Sequence, residues 1–317
     1  MNHSAYTDTE NSADSTAWKP LRWKDVEPEK LHLISAVIEK LPELPVHVHK
    51  ILKIVSDIDS DAKEIAQLAS SDPVLITKIL NAVNSSYYGF SKKIDDLQLA
   101  IVLLGFAEIR TLAIQSSLAD RFEMGRIDTM YDTRNLWGHS YQVSVSTEAF
   151  LSEKDSRSTG VFLTLGLLHD IGKFILYSIA VAMKKKGIKT DSLKGLRPGA
   201  CILEKEERLF GINHAIAGGM IARKWGLSER ITTVAEYHHY PSYFDMDDIP
   251  REHLQDIAII CMADMVTNSL DNRDDLPPEP QEAFFQLLGY APPIENIITD
   301  SLRKKIEKAK RFLTYIE

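Results

Sequence analysis

Seven side chains set the chemistry open to this chain: His139 in LWGHSYQV, His169 and Asp170 in GLLHDIGKF, His214 in GINHAIAGG, His238 and His239 in AEYHHYP, and Asp264 in IICMADMV. Each stands among small or apolar residues, on a predicted helix or at its end. A buried His or Asp without a partner is costly, so seven of them on separate apolar helices point to convergence on one pocket. Imidazole nitrogen and carboxylate oxygen are the donors for iron, manganese, zinc and similar divalent ions. No thiolate is among the seven, which argues against a structural zinc site and favours iron or manganese, as one ion or two. Taken singly, each histidine also reads as an ordinary core or surface residue; the weight comes from the set.

His169 and Asp170 are about 100° apart on an ideal helix and cannot point the same way, but at a helix end they can straddle one ion. Lys173, three residues on, can act as a point charge toward a phosphate; its plain reading is a solvated lysine at a helix end. Glu204, ten residues before His214, is a candidate for orienting a ligand from behind, or else a surface glutamate.

The elements that must carry these residues are helical. SDPVLITKILNAVNSS offers Asp72 as a cap and Pro73 at the first helical position. LQLAIVLLG and FAEIRTLAIQSSLADRF are helices separated at Gly105. Further helices are read over 133–153, over 160–187 with a break near Gly172, in AGGMIARKWG ending at Gly226, and in SERITTVAEYHHYP capped by Ser228 and stopped before Pro241. REHLQDIAIICMADMVTNSL and ENIITDSLRKKIEKAKRFL complete the set. Pro45 is read in the first turn of a helix running through VHVHKILKIVSDIDS, and Ser60 as the cap of the next. There is no convincing strand alternation, repeat or Gly-rich linker, so the expected fold is all-α.

Composition bounds the rest. The 317 residues carry 37 basic and 45 acidic side chains, a net charge of −8, which argues against a general nucleic-acid binder. Two cysteines, Cys201 and Cys261, form no CxxC pair and no disulfide framework. No apolar run is read as long enough to cross a bilayer. The N-terminus lacks the basic and apolar regions of a signal peptide, so a soluble, cytoplasmic protein is expected. Residues 1–25 are expected as a flexible tail, with AWKPLRWKDVEPEK as an arm that can pack onto the body. IAQLASSDPVLITKILNAVNSS has helix-turn-helix length, but its second helix offers only Lys78, Asn81 and Asn84, so core packing is preferred to DNA binding. The aromatic run SSYYGF reads as a packed loop, with a ligand platform as the sharper alternative.

His139, His169–Asp170 and Asp264 look like the H…HD…D residues of the HD superfamily of metal-dependent phosphohydrolases. LPELPVHVHKILKIVSD, IAQLASSDPVLITKILNAVNSSYYGF, IDDLQLAIVLLGFAEIRTLAI and the later LWGHS, GLLHDIGKFIL, NHAIAGGMIARKWGL and YHH together resemble the HDOD family of bacterial signalling proteins, from about Leu41 to His239. That resemblance implies a domain over 41–240: an N-terminal helical lobe (about 41–130) packed on an HD-like lobe that runs on to about 270. A C-terminal helical extension, 271–317, follows. It also implies a role in bacterial signal transduction, with a signalling protein or a small nucleotide ligand as partner; DNA and membrane are not expected, and the oligomeric state is open. HDIGK, His214 and the His238–His239 pair also resemble the HD-GYP cyclic-di-GMP phosphodiesterases, but after the pair this chain reads YPSYFDMDD, without the glycine-tyrosine-proline segment that helps build that family's substrate site. Many HDOD proteins lack the ligands and act as non-catalytic scaffolds; this chain has a near-complete set. The resemblance assigns His139, His169, Asp170 and Asp264 to a first ion. His214, His238 and His239 hold a second ion, bind phosphate, or serve as acid or base. Asp170 and Lys173 are the residues expected to matter for any phosphohydrolase activity.

Overall fold

Asp72 starts its helix as the sequence requires: its Oδ1 accepts from the amides of Val74 (2.9 Å) and Leu75 (3.1 Å), with Pro73 in the first turn. In the computed structural model, residues 18–41, 43–44, 50, 62–119, 133–151, 159–185, 187, 201–271, 273 and 276–316 are described. The helix signals read around Pro45 and Ser60 lie outside them. All regular structure among the described residues is helical.

Among the described residues of the N-terminal part, α1 (Pro28–Ile38) is followed by α2 (Ala62–Ala69), α3 (Pro73–Val83), α4 (Leu97–Leu104) and α5 (Phe106–Ala119), which pack around their own core of Ile65, Leu75, Ile79, Val83, Ile101 and Leu112. Gly105, at φ +89°, supplies the corner between α4 and α5 that a side chain would oppose. Asn84 pins the loop after α3, donating to the carbonyls of Leu80 (2.8 Å) and Ile94 (2.7 Å) while accepting from the Ile94 amide (2.8 Å). One of the three side chains that might have read DNA bases is therefore spent on the fold, and α3 turns its apolar residues into the core.

The rest of the chain builds two larger cores from α6 (Thr133–Ser146), α7 (Thr159–Leu168), α8 (Gly172–Lys185), α9 (Ile202–Phe210), α10 (His214–Lys224), α11 (Glu229–Tyr237), α12 (Leu254–Leu270), α13 (Glu282–Leu287) and α14 (Asp300–Ile316). From Asp256 to Asn268 every residue of α12 is buried, as expected of a helix apolar on all sides. The VSVST stretch alternates like a strand yet is helical. Ser144, Ser146 and Thr147 donate back to carbonyls three or four residues earlier, at 2.7, 2.8 and 2.7 Å, and the helix tightens to a 3₁₀ turn at Thr147–Phe150 instead of running on to 153.

One expectation changes. The segment Gly160–Lys185 is apolar enough to cross a bilayer by length and composition, contrary to the sequence reading. It is broken by the turn at 169–171 and 78% of its apolar window is buried, which makes it core. The C-terminal helix packs on the body: Leu302, Ile306, Ala309 and Phe312 are buried, and Phe312 lies 5.5 Å from the Tyr141 ring of α6.

The described part of the N-terminal tail, Trp18–Asp25, lies against the body. Trp18 meets Tyr243 edge-on at 5.7 Å, and Arg223 covers Trp23 at 4.9 Å. The Leu21 amide donates to Glu207 Oε1 (2.8 Å), which also accepts from Asn213 (2.7 Å). Burial pushes the Glu207 carboxyl up to about 7 despite both hydrogen bonds.

Candidate metal centre

Five elements deliver the seven residues. α6 carries His139. α7 ends at Leu168 and α8 begins at Gly172, so His169 and Asp170 occupy the turn between them. Asn213 caps α10, its Oδ1 accepting from Ile216 (3.1 Å), and makes His214 the first helical residue. His238 ends α11, His239 precedes a 3₁₀ turn through Pro241, and α12 presents Asp264. Two glycines let the HD turn sit this close to its neighbours. A Cβ at Gly166 would lie 2.5 Å from the Ser144 Cα on α6, and one at Gly172 would lie 1.9 Å from the His214 carbonyl oxygen on α10.

All seven side chains converge, and none is more than 7% exposed. They fall into two groups whose potential ligand atoms lie within 4.8 Å of one another: His139, His169 and Asp264; and Asp170, His214, His238 and His239. Asp170 faces both. Its Oδ2 is 3.4 Å from His169 Nε2 and 3.8 Å from His139 Nε2, while its Oδ1 is 3.1 Å from His214 Nε2 and 3.7 Å from His238 Nε2. His139 Nε2 donates to Asp264 Oδ1 at 2.8 Å, and the Nε2 atoms of His214 and His239 are 2.9 Å apart.

The orientation of the rings is informative. His169 Nδ1 donates to the Gly166 carbonyl (2.7 Å) and His238 Nδ1 to the Ala235 carbonyl (3.0 Å). His214 Nδ1 donates to Glu206 Oε2 (2.6 Å), which also accepts the His214 amide (2.8 Å). A carbonyl or carboxylate can only accept, so in each ring the Nδ1–H is fixed; Nε2 of His169 and of His238 then faces the site as a lone pair, while His214 Nε2 lies between Asp170 Oδ1 and His239 Nε2. His169 Nε2 and His238 Nε2 are buried with no hydrogen-bond partner among the described residues. Two orphaned acceptors in one pocket call for an explanation, and a cation that accepts their lone pairs is one that fits.

Electrostatics agree. Burial alone would raise the Asp170 carboxyl, but His169, Lys173 and His214 hold it well below the usual carboxylate range. Burial opposes ionisation of Asp264 too, and the His139 hydrogen bond and charge overcome it. Burial, with neighbouring imidazoles, pushes His238 down to about 3 and His239 well below its ordinary value; burial also lowers His169. Burial pulls His214 down, but Glu206 and Asp170 together outweigh it and the imidazole is raised. Ionised carboxylates and largely neutral imidazoles are the protonation states that bind metal ions.

Lys173 is not a solvated lysine. It is 6% exposed, with its ammonium on Asp170 Oδ2. The residue orienting a ligand from behind is Glu206, not Glu204. On α9 the buried positions are 202, 203, 206 and 210, so a glutamate on that apolar face was the available signal, and Glu204 is only half-buried. Asn268, one turn beyond Asp264, donates to its Oδ1 (2.7 Å) and was likewise not singled out. Glu206→Gln keeps the shape but weakens the anchoring of His214; metal affinity is expected to fall about 10–100-fold, read by competition with a chelator.

The chain matches the HDOD domain over residues 41–241. An uncharacterised protein of Treponema pallidum (strain Nichols) is 23% identical over 235 residues, 74% of this chain; the match spans 43% of that relative's length. Among solved structures, an HDOD domain protein of unknown function from Geobacter sulfurreducens superposes with a TM-score of 0.59 at 22% identity, covering 91% of this chain and 98% of that one. A candidate signal transduction protein from Marinobacter aquaeolei VT8 gives 0.70 at 18% identity, covering 91% and 65%. A candidate metal-dependent phosphohydrolase from Shewanella amazonensis SB2B gives 0.54 at 16%, covering 90% and 100%. At these identities the structural likeness speaks for the fold, and the match over 41–241 for the family. A helical chain with a buried His/Asp turn, matched over most of its length, belongs to the HDOD domain family.

Proposed function

We propose that this chain is a cytoplasmic bacterial signal-transduction protein whose HDOD domain retains an HD-type metal site. The observation that carries this reading is the closure of the centre: seven potential ligands, all at or below 7% exposure, on helices locked together by glycine contacts. Structural metal sites are closed, whereas catalytic ones keep an open position. His139, His169 and Asp264 would hold one ion, His214, His238 and His239 the other, with Asp170 shared. Donors of nitrogen and oxygen alone suit iron or manganese better than zinc among thiolates. The centre then fixes the relative positions of α6, α7, α10, α11 and α12, and a partner protein or small nucleotide ligand reads that arrangement.

The second reading is a metal-dependent phosphohydrolase on a nucleotide or cyclic dinucleotide, favoured by the completeness of the ligand set. A bound divalent ion supplies a water of lowered pKa and polarises a phosphoryl oxygen. In this chain Lys173 would exchange its contact with Asp170 for a substrate phosphate, and the buried centre would have to open. Elemental analysis of protein purified without chelator is expected to give iron or manganese, up to two ions per chain. Incubation with bis-p-nitrophenyl phosphate and cyclic dinucleotides is expected to give no turnover. Turnover abolished by Asp170→Ala would establish the enzyme instead, and metal at trace level would remove both readings.

A further inference from the structure

A cavity of about 210 Å³ lies away from the His/Asp centre and shares no residue with it. Tyr87 and Glu108 of the N-terminal part form one side, Tyr141 and Leu163 of α6 and α7 the floor, and Lys305 and Lys308 of α14 the rim. Tyr141 is two residues from His139, about 200° round the same helix, so the two sites occupy opposite faces of α6. The aromatic run SSYYGF, unused by the metal centre, supplies Tyr87, which packs edge-on against Tyr88 at 4.9 Å and faces Phe312 at 6.0 Å.

Three features narrow the ligand. The volume is below the roughly 300 Å³ of pockets that enclose a whole drug-sized molecule, so the cavity takes one ring system and leaves the remainder at the mouth. The mouth carries two exposed lysines, Lys305 and Lys308 of α14, in a chain of net charge −8. Inside stands a carboxylate, Glu108, with the Tyr141 hydroxyl 3.5 Å from its Oε1. An ionised carboxylate only accepts hydrogen bonds, and so favours a ring that presents N–H groups.

We propose that this cavity binds a nucleoside monophosphate whose base carries a ring N–H, with the base between Tyr87 and Tyr141, its N–H edge on Glu108 and its phosphate at Lys305 and Lys308. Aromatic rings hold a base by its π-face whatever its identity; the carboxylate adds the choice of edge, and the lysines act on the phosphate as point charges. This deepens the regulatory reading by locating its small ligand, but it is tested apart from the metal.

The test is calorimetric titration of the full chain with GMP, AMP and inorganic phosphate. GMP, which has a ring N–H, is expected to bind with Kd below about 1 mM, and AMP and phosphate at least about tenfold more weakly. Lys305 and Lys308 are exposed, so Lys305→Ala/Lys308→Ala leaves the fold intact; it is expected to weaken GMP by about tenfold with metal content unchanged. Glu108→Gln is expected to abolish the preference for GMP over AMP. No heat from GMP, equal binding of phosphate alone, or full affinity in the double lysine variant would each overturn the proposal. Loss of metal from the wild type would bear on the centre and leave this site standing.

Discussion

Asp170→Ala is expected to strip the protein of bound metal, lowering the elemental content of both groups at least about tenfold. The Asp170 carboxylate faces both groups, with Oδ2 toward His139 and His169 and Oδ1 toward His214 and His238. Removing it also leaves the Lys173 ammonium buried without its carboxylate, and breaking a buried pair from one side costs about 3–5 kcal/mol. The single variant therefore mixes two effects. Asp170→Ala/Lys173→Met separates them: the second change removes the stranded charge, so stability in urea recovers in part while metal stays absent. Retention of wild-type metal by the double variant would show that the ions, where present, do not depend on Asp170.

The second large effect is steric. Gly172→Ala places a methyl 1.9 Å from the His214 carbonyl oxygen and 2.4 Å from the Gly218 amide nitrogen. Both are backbone atoms, so no side-chain rotation relieves the overlap and α8 and α10 must part by about 1 Å in a close-packed interior. Overpacking of this kind costs about 1–3 kcal/mol and at times more, and His214 moves with α10. Ligand distances must hold to about 0.2 Å, so the ion on His214, His238 and His239 is expected to be lost while the one on His139, His169 and Asp264 stays. Gly166→Ala is the mirror experiment. Its Cβ would meet the Ser144 backbone at 2.5 Å, so it disturbs α6 and therefore the His139 group. Urea midpoints and metal stoichiometry of the two variants check the assignment; identical patterns would show that the glycines act on the whole core and not on separate groups.

Much of this protein is written in local chemistry. Asp72, Asp96 and Asn213 cap the helices they precede, Gly105 turns a corner, and apolar periodicity gives an all-helical chain. The seven site residues stood out because polar groups on apolar helices need partners. What local chemistry does not contain is the pairing of those partners. That Asp170 faces both groups, that Nδ1 of His169 and of His238 is tied while Nε2 is bare, that Glu206 stands behind His214, and that Lys173 is buried on Asp170 all follow from contacts between residues 3 to 125 positions apart in sequence. Periodicity fixes which face of a helix is buried, but the approach and rotation of one helix against another are set by packing, here by a glycine on either side of the HD turn. The sequence by itself therefore determined the fold class, the family resemblance and the residues that meet, because these depend on side-chain type and spacing. Only the tertiary structure decided their grouping and closure, because those depend on ångström distances between helices that no single segment encodes.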